Sequence, residues 1–224
     1  MKPYYQDDYI TIYHGDCREI LPSLEKVDLV LTDPPYGIHH SSNHGASWQG
    51  QEIVGDESTV LRDFILRECE GIPMFIFSTW KIDIPHDLVD IDGVLIWDKG
   101  PAFGMGDLAF PWKMSWEMII VVAGAVGAPG IFVGRRDEGV LRGHIQVSWE
   151  SKGRRHPHQK PVSLVTHLLT HTSASTILDP FLGSGTTAVA AKKLNRKCIG
   201  IEIEEKYCEI AANRCRQMVM ELRV

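Results

Sequence analysis

Residues 176–203 read TILDPFLGSGTTAVAAKKLNRKCIGIEI. The stretch opens on a short β-rich run, Thr176–Leu178. It turns through Asp179-Pro180-Phe181-Leu182-Gly183-Ser184-Gly185 and continues with a helical pattern over Thr186–Leu194. A second apolar run, Lys197–Ile203, and a helical pattern over Glu204–Met220 follow. Strand, turn, helix, strand and helix in that order predict a unit whose two strands lie parallel. Gly183 and Gly185 let the backbone turn tightly and bring helix N–H groups close to a ligand. Glu202 ends the second strand 19 residues after Gly183, where a carboxylate can accept from both hydroxyls of a ribose. Alone, Gly183-x-Gly185-x-x-Ala188 also satisfies the dinucleotide fingerprint, and a tight turn with no ligand fits equally.

Working outward, short apolar runs recur at Ile10–Tyr13, Val27–Thr32, Met74–Ser78, Val94–Trp97 and Met118–Val122. Runs of this length without clean alternation suit strands buried on both faces. Helical patterns lie over Thr59–Cys69 and Val162–Thr170. The chain is therefore expected to be α/β, with a mostly parallel sheet covered by helices on both faces. Between Gly100 and Gly153 glycines are frequent, aromatics cluster and periodicity is poor, apart from the Met118–Val122 strand. The expected organisation is a single domain over residues 1–224, with a small insertion at about 103–158 on the ligand-binding edge.

A second chemical stretch is Val27-Asp28-Leu29-Val30-Leu31-Thr32-Asp33-Pro34-Pro35-Tyr36-Gly37. An apolar strand runs directly into a carboxylate, two prolines and an aromatic. Proline cannot continue the ladder and restricts the residue before it, so the chain leaves in a stiff extended turn. At the carboxyl end of a parallel strand, that turn faces the crevice where open α/β sheets bind ligands. The Asp33 carboxylate and the Pro34 carbonyl are acceptors, and Tyr36 offers a flat face. Such a set suits a planar group carrying an NH₂; the bland alternative is a strand terminator with an exposed tyrosine.

Composition bounds the rest. The 224 residues are 44% hydrophobic and 23% charged, values that argue against disorder and suit one domain. No apolar run approaches the roughly 20 residues of a membrane span, and residues 1–8 carry no signal-peptide pattern. The five cysteines are odd in number and form no C-x-x-C pair, so they read as buried thiols of a cytoplasmic protein. The net charge is −6, yet residues 135–160 hold seven Lys/Arg against three Asp/Glu. That window carries +4 and leaves −10 for the remainder. A local basic stretch on an acidic body can dock phosphates, as an ordinary solvated loop also could. His39, His40 and His44 lack a supporting Cys or carboxylate spacing, so no metal is expected there.

Together the two stretches are far more specific than either. The chain resembles the DNA amino-methyltransferases, which act on N6 of adenine or N4 of cytosine. Asp33–Tyr36 matches their acid-Pro-Pro-aromatic motif, and Asp179–Gly185 their S-adenosylmethionine (SAM) motif. His156-Pro157-His158-Gln159-Lys160-Pro161 is similar to the segment preceding that SAM motif, although His158 stands where the family often has a small polar residue. The catalytic motif comes first and the SAM motif last, an order that resembles the circularly permuted beta class. The similarity runs from about residue 12 to residue 214 and is weakest from 103 to 150. The presumed reading segment between the motifs is short.

The resemblance implies a Rossmann-like SAM-dependent methyltransferase fold with S-adenosyl-L-methionine as cofactor and DNA as partner. It assigns the target base to Asp33, Pro34, Pro35 and Tyr36. Asp179, Pro180, Phe181, Gly183, Ser184, Gly185 and Thr186 would line the methionine and ribose part of SAM, and Glu202 the ribose hydroxyls. Asp16 would lie near the SAM adenine. Lys160 would reach the SAM carboxylate or stand as a solvated lysine before a helix. Arg135, Arg136, Arg154 and Arg155 are the expected phosphate or base-edge contacts. Asp33, rather than the serine more usual in N4-cytosine enzymes, tilts the reading toward adenine. An NAD-dependent oxidoreductase, which leaves Asp33–Tyr36 unexplained, and an inactive DNA-binding module stay open. So do a homodimer and a cognate restriction enzyme as partners.

Overall fold

The structure is a computed structural model and describes residues 1–37, 55–82, 86–100, 112, 115–124, 130–144 and 159–221. Nine strands form one sheet: β1 (Tyr5–Gln6), β2 (Ile10–His14), β3 (Leu29–Thr32), β4 (Met74–Ser78), β5 (Gly93–Asp98), β6 (Trp116–Val122), β7 (Val140–Leu141), β8 (Thr176–Asp179) and β9 (Lys197–Glu202). Five α-helices accompany them: α1 (Cys17–Ile20), α2 (Val60–Glu68), α3 (Val162–Thr170), α4 (Thr186–Lys193) and α5 (Glu205–Glu221). The strand order is β1-β2-β9-β8-β3-β4-β6-β5-β7.

From β2 through β9, β8 and β3 to β4 all pairings are parallel. The short β1 is antiparallel to β2, and β6 is antiparallel to both β4 and β5. The sheet is mostly parallel, as expected, and the reversal of β6 within it has consequences for the site. Two-residue β7 and four-residue α1 were not apparent in the sequence, being too short to show a period. β6 and β7 fall within the 103–158 stretch and extend the sheet.

The central strands β3 and β4 are buried at every position, as strands covered on both faces must be. Their alternation divides the core into two clusters. Leu29, Leu31, Phe75 and Phe77 face a cluster built with α3, α4 and α5. Val30, Met74 and Ile76 face the opposite cluster, with residues of α1 and α2. α3 buries Leu164, Val165, Leu168 and Leu169, one stripe at helical spacing. α4 buries Ala188, Val189, Ala190 and Ala191 all round, small residues that let α3 and α5 pack closely on either side. The five cysteines are free and buried.

β8 passes to β9 on one side, and β3 passes to β4 on the other. The sheet therefore changes direction between β8 and β3, and a crevice opens at their carboxyl ends. Among the described residues no helix is long and apolar enough to cross a membrane.

Candidate active site at the switch point

Asp33 and Asp179, 146 positions apart in the chain, stand at the carboxyl ends of neighbouring strands, because Leu29 pairs with Ile177 and Val30 with Leu178. The turn after β8 is stabilised by the chain around it. Asp179 accepts from the Phe181 N–H at 3.1 Å and from the Thr187 hydroxyl at 2.6 Å. Its carboxyl is only 4% exposed, and burial pushes its pKa up to about 7, with the Asp33 and Glu202 charges adding in the same direction. Gly183 and Gly185 both hold positive φ, at +52° and +83°. A side chain at Gly185 would also strike Ala211 of α5, 2.7 Å from a new Cβ, so glycine is required twice over there. At Gly183 a new Cβ would meet nothing within 4 Å: the backbone borders open space.

Glu202, at the end of β9, accepts from the Gly183 N–H at 2.8 Å and from the Glu204 N–H at 2.8 Å. Burial raises its pKa, and those N–H groups oppose the rise. Each carboxylate oxygen has a second lone pair, so Glu202 can brace the glycine turn and still accept from a ligand. Asp16 lies beside it, since the Gly15 N–H donates to the Glu202 carbonyl at 3.0 Å. The Asp16 carboxylate caps α1 through the Arg18 N–H and pairs with the Arg18 guanidinium at 2.5 Å. Arg214 of α5 donates to the Ser184 carbonyl at 2.6 Å, and the Ser184 hydroxyl to Gln159 at 3.3 Å. Thr186 donates to the Lys160 carbonyl at 3.2 Å, tying the glycine turn to the segment before α3.

The opposite wall is made of charges. Pro34 and Pro35 are buried and Tyr36 partly so. The Tyr36 hydroxyl donates to Asp33 Oδ1 at 2.7 Å. Burial and the nearby Asp33 and Glu117 carboxylates raise its pKa, so it stays a donor. Gly37 N–H donates to buried Asp56 at 2.8 Å, which fixes the exit of the turn. Lys160 Nζ lies 2.5 Å from Asp33 Oδ2, 3.3 Å from Glu117 Oε2 and 4.9 Å from the centre of the Phe77 ring. Lys99 pairs with Oε1 of the same glutamate. Burial alone would lower the Lys160 pKa, but Asp33 and Glu117 outweigh it and the net shift is upward. For Glu117 burial opposes the charge, yet Lys160 and Lys99 win and its pKa falls. Lys160 and Glu117 thus hold each other ionised, with Asp33 and Lys99 paired on either side.

Lys160 is not a solvated lysine: it is 9% exposed and its Nζ is engaged with Asp33. Lys99 and Glu117 were missed by the sequence reading. Glu117 reaches this edge only because β6 is reversed, so that it starts where β4 ends: Ser78 pairs with Met118. Arg135 and Arg136 are exposed but are not brought to this crevice. They adjoin the far end of α3, where the Val133 N–H donates to the His171 carbonyl at 2.8 Å. At 1.5 Å per residue that is about 14 Å along the helix from the Lys160 end. Arg154 and Arg155, and His39, His40 and His44, lie outside the described residues.

The chain is similar to several known proteins. Residues 135–213 match the N6/N4 family model described as DNA methylase. The chain is 27% identical to the type II methyltransferase M.HinfI of Haemophilus influenzae, an alignment covering 97% of this chain and 71% of that protein. It is 25% identical to the type II methyltransferase M2.MboI of Moraxella bovis, covering 100% and 94% of the two chains. Among solved structures, the M1.HpyAVI–SAM complex superposes with a TM-score of 0.69 at 25% identity, over 92% of this chain and 98% of that one. The cytosine-N4-specific PvuII DNA methyltransferase shares the fold at a TM-score of 0.69 and 18% identity, covering 95% and 88%.

Proposed function

We propose that the chain is a DNA amino-methyltransferase that methylates the exocyclic N6 amine of adenine in DNA, with SAM as methyl donor. One observation carries the reading: β3 pairs in parallel with β8, so the Asp33–Tyr36 turn and the Gly183–Glu202 turn leave neighbouring strand ends at the switch point. The glycine wall fits SAM. It has open space beside the Gly183 backbone, a buried Asp179 carboxyl and the Glu202 carboxylate at a strand end. SAM supplies a methyl group activated by a sulfonium.

The rest falls to the protein's own groups. A base inside the duplex cannot reach Asp33, so the target nucleotide leaves the stack and Tyr36 supplies a stacking face. The lone pair of an exocyclic amine is delocalised into the ring, which makes it a poor nucleophile. Hydrogen bonds from that NH₂ to Asp33 and the Pro34 carbonyl favour a more tetrahedral nitrogen, whose lone pair is free to attack. Lys160 and Tyr36 hold the Asp33 carboxylate in place, leaving a lone pair free on each of its oxygens. Asp33 need not remove the proton: methylation acidifies the amine, and water can take the proton afterwards.

Asp33 in the first motif position supports adenine over cytosine. The reading is tested by digesting DNA from an expressing host to nucleosides and weighing them. N6-methyladenine above the level of a non-expressing host is expected. N4-methylcytosine instead would keep the enzyme class and overturn the base, and neither product would overturn the activity.

A further inference from the structure

The far end of α3 carries chemistry that the crevice does not use. His167, in the last turn of that helix, and His171, its C-cap residue four positions on, lie together, and Asp137 comes to them from the loop after Phe132. Asp137 Oδ2 is 3.1 Å from His167 Nε2 and 3.6 Å from His171 Nε2, and one ligand atom from each residue lies within 4.8 Å of the others. A tetrahedral ion bound by imidazole nitrogen and carboxylate oxygen at about 2.0–2.1 Å sets its ligand atoms about 3.3 Å apart. The two measured separations bracket that figure.

Hydrogen bonding orients the ligands independently. His171 Nδ1 is 3.0 Å from the His167 carbonyl oxygen, which can only accept, so Nδ1 carries the proton. In the neutral ring, Nε2 then presents its lone pair to a carboxylate oxygen. A backbone carbonyl on the outer nitrogen is the usual way a ligating histidine is held. Asp137 is oriented as well: its Oδ1 accepts the Glu138 N–H at 2.8 Å, leaving Oδ2 for the histidines. The three side chains are 28%, 33% and 48% exposed, so an ion can enter from solvent.

We propose that Asp137, His167 and His171 bind a divalent transition-metal ion of the zinc class, with water in the fourth position. The ion would pin the Arg135–Glu138 loop to the end of α3. The proposal stands apart from the methyltransferase reading, because the site is at the other end of the helix from Lys160.

The test uses the full chain, stripped with a chelator and desalted, and titrated with Zn²⁺ alone by calorimetry. The comparison proteins are the His167→Gln/His171→Gln double variant and Asp137→Asn. The expected result is about one tight equivalent in the parent, weakened at least about 100-fold in the double variant. Co²⁺ should give the parent the intense visible bands of a tetrahedral site, absent from the variant. Circular dichroism of each variant shows that the fold is kept. Equal zinc affinity and stoichiometry in parent and variants, or no saturable binding in the parent, would overturn the proposal and leave a histidine pair beside Asp137 with no metal role.

Discussion

The two walls of the crevice are built in opposite ways. The glycine wall is local: Asp179, Gly183, Gly185, Thr187 and Glu202 come from one strand–helix–strand unit. Its carboxylates are held largely by N–H groups of that same unit. The base wall is assembled from four distant segments: Asp33 and Tyr36 after β3, Lys99 after β5, Glu117 on β6 and Lys160 before α3. Backbone dipoles fixed by a turn make a rigid cradle with unpaired room for a ligand. Buried side-chain charges make a pointed acceptor, at the cost of depending on every member. Damage to the first wall should therefore appear in cofactor binding, and damage to the second in stability and turnover.

The sharpest way to break this contrast is Glu117→Gln. Lys99 and Lys160 then face each other across a neutral amide, and disturbing a buried charge set of this kind costs about 3 kcal/mol. Urea unfolding should show that loss, together with a midpoint lower by roughly 6–12 °C on heating. The sign with pH follows from the depressed Glu117 pKa. Its stabilisation is present above the ordinary glutamate value and disappears as pH falls through the lower folded one. A Gln variant as stable as the parent would mean the charges are not coupled.

On the other wall, Glu202→Ala should weaken SAM by about 1.5–3 kcal/mol for each charge-assisted hydrogen bond lost, measured by calorimetry, with DNA affinity nearly intact. Equal losses for both ligands would indicate collapse of the Gly183 turn instead. Tyr36→Ala should cost about 1–3 kcal/mol of base stacking in the enzyme–DNA complex. Tyr36→Phe keeps the ring and loses the bond to Asp33, about 1 kcal/mol, so its loss should fall between the parent and Ala. A pH-dependent effect concerns Asp179. With its pKa near 7, its carboxyl is increasingly neutral below that pH, and a ligand carrying an ammonium group favours the ionised form. SAM affinity should fall by up to about tenfold per pH unit below 7, and Asp179→Asn should flatten the profile.

What was legible in the sequence follows the same division. Met74–Ser78 and Val162–Thr170 match their elements end to end, and the others within a few residues, because each carries its pattern within itself. The Gly183–Glu202 wall was legible for the same reason: its partners are close in the chain. The antiparallel setting of β6 was not, since an apolar run reads the same in either direction. Lys99 and Glu117 were lost with it, and Lys160 was given a different partner. No local pattern announces an ion pair between residues 33 and 160. His167 and His171 were not singled out in the sequence, because their carboxylate partner arrives from a loop that only the fold brings near.

The most direct test of the division is Asp33→Ala, with methyl transfer and SAM binding measured on the same protein. Asp33 belongs to the base wall alone, so turnover should fall below detection while SAM affinity stays within a few-fold of the parent. Turnover near the parent rate, or loss of SAM binding as severe as loss of turnover, would contradict the account.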